Sequence, residues 1–202
     1  MPQKIHVLPQ ELTLKIAAGE VIERPASILK ELLENALDAG ATAIRIELQK
    51  GGCAGIRIED NGTGISREEA PLAFERFATS KIVDFDDLYA VTSFGFRGEA
   101  LPSIAAIARV EMTTRTGEDL SGTRIIAEAG RIQEISEVGC PVGTSIRITG
   151  IFDHVPVRKK FLKAEATEQG YCLDVVHCAA LSAEKVKIDV LAHGRNLLSL
   201  PA

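Results

Sequence analysis

The sequence predicts an α+β fold, a two-layer α/β sandwich in which one mixed, mainly antiparallel sheet is covered on one face by helices. Three observations lead there. Apolar residues recur at helical spacing between Leu29 and Leu37; runs of alternating β type occupy residues 44–58 and then about 109–150; a helical stretch and one more strand close the chain.

Residues 10–23 carry Leu12, Ile16, Ala17, Val21 and Ile22 around Gly19, which predicts a short helix interrupted or ended near that glycine. Pro25 suits the first turn of a second helix and Gly40 its stop. On that helix Ser27, Glu31, Glu34, Asn35 and Asp38 fall on one side, and Leu29, Leu32, Leu33, Ala36 and Leu37 on the other. Ile44, Ile46 and Leu48, then Ile56 and Ile58, alternate with polar residues around Gly51-Gly52, so two antiparallel strands deliver Asp60 at the end of the second. Ser66 with Glu69 forms a capping-box start for a helix through Phe77, with Pro71 disturbing its first turns. Beyond Thr79-Ser80-Lys81 and the acidic stretch from Asp84 to Asp87, Gly95 and Gly98 precede the helical pattern Leu101, Ile104, Ile107, Ala108. A loop feeding a helix N-terminus is a natural phosphate site. From Arg109 to Gly150 alternating runs break at Gly117, Gly122, Gly130 and Gly139 to Gly143, as successive antiparallel strands do. A helix over about Thr167 to Ser182 and a final strand from Val186 to Ala192 follow.

The 202 residues suffice for one well-buried domain, and 46% apolar with 25% charged residues is the composition of a soluble globular chain. A net charge of -5 argues against a wholly basic nucleic-acid binder but permits a local basic groove, for which Arg158, Lys159, Lys160 and Lys163 are the best cluster. A solvated charge run is the ordinary alternative for those four. Cys53, Cys140, Cys172 and Cys178 form no C-x-x-C pair, which points to a reducing, cytosolic compartment. His177-Cys178 with Cys172 is a conceivable metal set, but the segment has an amphipathic helical pattern, so a structural role is favoured. No secretory leader and no apolar run of membrane-spanning length is visible, so no membrane partner is expected.

No G-x-x-x-x-G-K-[ST] motif occurs, nor a strand leading into G-x-G-x-x-G. Hydrolysis of a nucleoside triphosphate requires a carboxylate for water, an oxygen ligand for Mg2+ and donors around the phosphates. Glu31 and Asn35, four apart on one helix face, can supply the first two, and the 93–101 loop the third. Asp60, at a strand end beside Gly62 and Gly64, can accept from the exocyclic amine of adenine while the glycines admit the flat base. Each piece alone has an ordinary structural alternative: a solvated helix face, an Asp-Asn-Gly turn, a surface lysine at Lys81.

The stretch Ala17-Ala18-Gly19-Glu20-Val21-Ile22-Glu23-Arg24-Pro25-Ala26-Ser27, running into Lys30-Glu31-Leu32-Leu33-Glu34-Asn35-Ala36-Leu37-Asp38-Ala39-Gly40-Ala41, resembles the N-terminal ATPase region of the MutL family of DNA mismatch repair proteins. So do Asp60-Asn61-Gly62-Thr63-Gly64, Thr79-Ser80-Lys81 and Gly95-Phe96-Arg97-Gly98-Glu99-Ala100-Leu101, in a collinear match reaching at least Phe161. The family belongs to a superfamily with DNA gyrase B, the Hsp90 chaperones and sensor histidine kinases, so the resemblance implies their Bergerat-type ATP-binding sandwich. It implies Glu31 as the base that activates water, Asn35 as Mg2+ ligand, Asp60 as adenine reader with Gly62 and Gly64 packed beside it, and Asp38 on the nucleotide side of the same helix. It also implies Ala78 to Lys81 near the nucleotide, residues 95 to 101 as a lid whose amides hold the phosphates, and Gly143-Thr144 near the adenine. Glu34 shares the helix face, but the family's four-residue step from base to Asn implies Glu31 and leaves Glu34 a secondary or structural carboxylate.

The implied activity is slow, Mg2+-dependent ATP hydrolysis whose product is a conformational change. The implied partners are DNA, contacted without sequence preference, a second copy in an ATP-dependent dimer, a MutS-type mismatch recognition protein, and a downstream nuclease or helicase. The expectation is therefore a single ATP-binding domain over residues 1–202, an N-terminal piece of a longer cytoplasmic protein, with weak turnover by itself. The family's second domain supplies a lysine to the γ-phosphate, so an ATP-binding interaction domain without turnover is the alternative. A chaperone, topoisomerase or kinase module of the same superfamily fits the Ala17–Ser27 and Gly95–Leu101 stretches less well. Around Phe152-Asp153-His154-Val155-Pro156-Val157-Arg158 the sequence departs from the family's usual Tyr-Asn-Thr-Pro-Ala-Arg pattern, so Asp153 and His154 inherit no role, and His154 is expected at the surface.

Overall fold

The structure, a computed structural model, describes residues 22–79 and 98–202. The expected first helix over residues 10–23 falls almost wholly outside them.

Helix α1 spans Pro25–Asp38, with the proline in its first turn. It buries Pro25, Ala26, Ile28, Leu29, Leu32, Leu33 and Ala36, while Ser27, Glu31, Glu34, Asn35 and Asp38 stay half-buried on the opposite side. Gly40, at φ 71, ends it as anticipated. Strands β1 (Ala43–Gln49) and β2 (Gly55–Asp60) follow, antiparallel, with Ile44 opposite Asp60 and a short 3-10 turn at Lys50–Gly52 between them.

The chain then departs from expectation. Glu69 N–H does donate to Ser66 Oγ at 3.3 Å, and the Ser66 hydroxyl to Glu69 Oε2 at 2.9 Å, but no α-helix extends to Phe77. Only a 3-10 turn over Leu72–Phe74 forms, because Pro71 has no N–H to continue a ladder. Phe77, at φ 65, reverses the chain.

Helix α2 (Ala100–Ile107) leads into four antiparallel strands, β3 (Arg109–Arg115), β4 (Gly122–Glu128), β5 (Arg131–Val138) and β6 (Gly143–Thr149). A one-turn helix, α3 (Pro156–Lys159), and a long helix, α4 (Glu165–Ser182), precede β7 (Lys187–Ala192). The sequence predicts β7 as the final strand, but a further one, β8 (Arg195–Leu200), pairs antiparallel with it. Exposed at the sheet edge with a polar first half, β8 lacks the clean alternation that marks a half-buried strand.

Among the described residues eight strands form one sheet in the order β5-β4-β3-β6-β2-β1-β7-β8, antiparallel throughout except for the β1–β7 pair. Inward residues Ile44, Ile46, Leu48, Ile56, Ile58, Val110, Met112, Ile146, Ile148, Ile188 and Val190 join the buried faces of α1, α2 and α4 in one core. At about 25 cal/mol per Å2 of apolar surface, such burial is the main force joining the layers. The opposite sheet face is a ladder of charges: Arg45 meets Glu47 at 3.0 Å and Glu59 at 3.8 Å, Arg57 pairs with Glu59, and Arg124 with Glu111 at 2.7 Å.

Cys172 lies fully buried on α4, its Sγ donating to Gly51 O at 3.8 Å, whereas Cys178 is exposed. Among the described residues no cluster of three or more His, Cys, Asp or Glu could hold a metal ion, and no helix is long and apolar enough to cross a membrane.

Candidate functional site

The site is built where α1 ends, β2 ends and β6 begins. Asp60 terminates β2 and faces Thr144 in the ladder. Its Oδ1 accepts the Gly62 N–H at 2.8 Å, and the Thr144 N–H donates to the same carboxyl group. Burial pushes the Asp60 carboxyl above the ordinary range, and the two backbone donors pull against it.

The loop after Asp60 is tied to α1 directly. Thr63 N–H donates to Ala39 O at 3.0 Å, and a Cβ on Gly62 would meet that oxygen at 2.8 Å. Asn61 clamps the start of β1, its Oδ1 accepting from the Thr42 and Ala43 N–H groups at 2.9 Å each. These bonds fix the end of the helix bearing Asn35 and Asp38 against the loop bearing Gly62 and Gly64.

Gly143 adopts φ +115, and a Cβ there would collide with the carbonyl oxygen of Asp60. Only glycine lets β6 begin this close to the end of β2. Thr144 is thereby held beside Asp60, and its Oγ1 lies 3.0 Å from Thr114 Oγ1.

Thr114 has no place in the sequence analysis, yet it organises this corner. Only 1% exposed, its hydroxyl oxygen accepts from Ile65 N–H at 2.9 Å and lies 3.2 Å from Gly143 O. A signal was available: Val110 and Met112 set the inward phase of β3, and Thr114 is the polar residue that continues it.

Glu31, Asn35 and Asp38 share the half-buried face of α1. Glu34 on the same face pairs with Lys30 at 3.2 Å. Thr79 is half-buried, and Gly98, Glu99, Ala100 and Leu101 form the entry to α2, which packs on α1. The first N–H groups of α2 have no acceptor within the helix, the usual setting for an anion. Ser80, Lys81, Gly95, Phe96 and Arg97 lie outside the described residues.

The basic cluster is partly spoken for. Arg158 Nη1 donates to Ile22 O at 3.0 Å and Lys159 pairs with Asp153, whereas Lys160 and Lys163 are exposed. His154 is at the surface as anticipated, 3.2 Å from Glu128.

The sequence profile of the histidine kinase-, DNA gyrase B-, and HSP90-like ATPases matches residues 20–149. The chain is 61% identical over 202 residues to the DNA mismatch repair protein MutL of Syntrophus aciditrophicus (strain SB), covering 100% of this chain and 33% of that protein. To the MutL of Geobacter sulfurreducens it is 48% identical over 197 residues, 98% of this chain and 32% of the relative. It thus spans about a third of the length of the curated relatives it matches. Among solved structures, the Aquifex aeolicus MutL ATPase domain complexed with ADP is similar at TM-score 0.73 and 35% identity, over 90% of this chain and 65% of that one. The N-terminal domain of a DNA repair protein matches at TM-score 0.78 and 27% identity, over 93% and 56% of the two chains.

Proposed function

The chain belongs to the histidine kinase-, DNA gyrase B-, and HSP90-like ATPase family, and from that premise we propose that it is a MutL-type mismatch repair ATPase domain, binding ATP with Mg2+ and hydrolysing it slowly. The observation that carries this is the joint at Asp60. A half-buried carboxyl, held by two backbone donors and flanked by positions where only glycine fits, sits against the end of a helix whose half-buried face bears Glu31 and Asn35.

On this reading Asp60 accepts from the adenine amine, and Gly62 and Gly64 let the loop beside it pack against the Ala39 and Arg115 backbone. The N–H groups at the start of α2, with Thr79 and residues 98–101, hold phosphate oxygens. Ser80, Lys81, Gly95, Phe96 and Arg97 carry the same assignment by resemblance alone. Glu31 orients the attacking water and takes its proton. The side-chain oxygen of Asn35 would hold Mg2+, an amide oxygen being the kind of hard donor that ion takes. When bound, Mg2+ neutralises charge on the β- and γ-phosphates.

The larger role follows by analogy with the relatives: nucleotide drives dimerisation of a cytoplasmic protein, and the dimer controls contact with DNA, a MutS-type recognition protein and a downstream nuclease or helicase. Lys160 and Lys163 are the cations best placed for DNA.

The test is calorimetric titration of a non-hydrolysable ATP analogue with Mg2+ into the protein, Asn35→Ala and Asp60→Ala. Binding that requires Mg2+ and is lost in both variants is expected; a folded protein that binds no analogue refutes the proposal. Glu31→Ala should keep binding and lose turnover by at least about a hundredfold. Binding without turnover in the unaltered protein would make it an ATP-binding interaction domain.

A further inference from the structure

We infer that Arg76 is a positioning residue for the phosphate end of the site, and that it acts by holding the Glu99 carboxylate away from the N-terminus of α2. The inference rests on the ATP-binding reading above and assigns a residue that reading does not use.

Arg76 Nη2 donates to Glu99 Oε1 at 2.7 Å, and the Glu99 side chain is only 17% exposed. The two segments also meet through their backbones. Phe77 N–H donates to Gly98 O at 3.1 Å, and at Gly98, φ +60, a Cβ would collide with the Ala78 carbonyl. Arg76, its guanidinium carbon 5.2 Å from the centre of the Phe77 ring, therefore straps the turn carrying Ala78 and Thr79 to the first residues of α2.

Glu99 occupies the N-cap of α2. Its backbone carbonyl opens the helix, accepting from Ser103 N–H at 3.0 Å, but its side chain makes no cap bond. Pro102, third in the helix, has no N–H, so the first turn offers only the Ala100 and Leu101 N–H groups, beside which a negative group is favoured by the helix dipole. A Glu99 carboxylate turned onto those N–H groups would occupy the donors a phosphate needs. Arg76 gives it a charge-assisted partner instead, so the Ala100 and Leu101 N–H groups stay available to an external anion. Glu99, an expected nucleotide contact in the sequence analysis, becomes on this geometry an internal competitor held in check.

The consequence differs in sign from that of a simple structural ion pair. Arg76→Ala releases the carboxylate and should weaken a ligand that uses the α2 donors. Removing the Glu99 charge as well should restore it. The experiment is calorimetric titration of a non-hydrolysable ATP analogue with Mg2+, and separately of adenosine, into the protein, Arg76→Ala, Glu99→Gln and the double variant, with melting curves to confirm folding. Arg76→Ala should weaken the analogue about tenfold, the order of one charge-assisted hydrogen bond, and change adenosine less than twofold. The double variant should return to within about threefold of Glu99→Gln. Should Arg76→Ala not fold, Arg76→Lys, which keeps the charge but not the fork, serves in its place with a smaller loss rescued by the same second change. A double variant as weak as the single one, or an unchanged Arg76 variant, overturns the inference alone. An unaltered protein that binds no analogue overturns the ATP reading and this inference with it.

Discussion

Replacing Asp60 by Asn alters one atom at the centre of the proposed adenine contact and changes almost no volume. The Gly62 N–H at 2.8 Å holds the Oδ1 position, so the asparagine oxygen settles there and its NH2 takes the place of Oδ2. A ligand amine then meets a donor where it had a carboxylate. Losing a charge-assisted bond costs 1.5–3 kcal/mol, and leaving an enclosed donor unmatched adds to it, so about 3 kcal/mol, on the order of a hundredfold in affinity for the ATP analogue, is expected. Stability should respond the other way with pH. Burial raises the Asp60 carboxyl above its ordinary 3.8, so the folded protein binds the proton more tightly than the unfolded chain. Wild-type stability from this group therefore falls as pH rises through the interval from 3.8 to the folded value, and the cost stays in full above it. Asparagine has no such interval, so the stability difference between variant and wild type should drift in favour of the variant from pH 3.5 upwards and level off. Calorimetric affinity at pH 7.5 and urea midpoints across pH 3.5–7.5 check both halves. Affinity within threefold of wild type refutes the adenine role; a stability difference flat in pH refutes the buried-charge account.

Gly143→Ala should destabilise the protein by about 2–4 kcal/mol, since a Cβ at φ +115 meets backbone rather than a movable side chain, and a lowered urea midpoint would report it. It should also weaken the ATP analogue by shifting Thr144 away from Asp60. Burial, with smaller contributions from Glu168 and Cys53, pushes the Cys172 thiol up to about 12, so in the folded protein at pH 8 a thiol reagent should modify exposed Cys178 and spare Cys172 until urea unfolds the chain. Because the unfolded thiol ionises near 9.0, that group's contribution to stability should be lost as pH rises from about 9 towards 12, visible as a falling urea midpoint absent in Cys172→Ala. If Lys160 and Lys163 contact DNA, replacing both by Gln should reduce the slope of log affinity against log salt by about two, measured by anisotropy on duplex DNA; an unchanged slope removes them from the interface.

Local chemistry made much of this protein legible in its sequence. Pro25 and Gly40 bound α1 because one has no N–H to waste and the other tolerates a left-handed turn, and the 3.6-residue period assigns Glu31 and Asn35 to one face. Alternation gave β1 to β7, since one sheet face is buried and the other wet. Where the pattern was weak the outcome was tertiary: β8 forms by pairing with β7 rather than by its own periodicity, and the Ser66 cap pair is present without the helix it normally starts, because Pro71 interrupts the ladder. The sequence by itself determined which residue types are present and on which side of each element they lie. Only the tertiary structure decided that Gly143 and Thr144, more than eighty residues beyond Asp60, lie beside it, that Thr114 ties that corner together, and that Arg76 receives Glu99. Periodicity is a property of neighbours along the chain, whereas those contacts depend on which strands lie side by side in the sheet, and that is fixed only when the whole core packs.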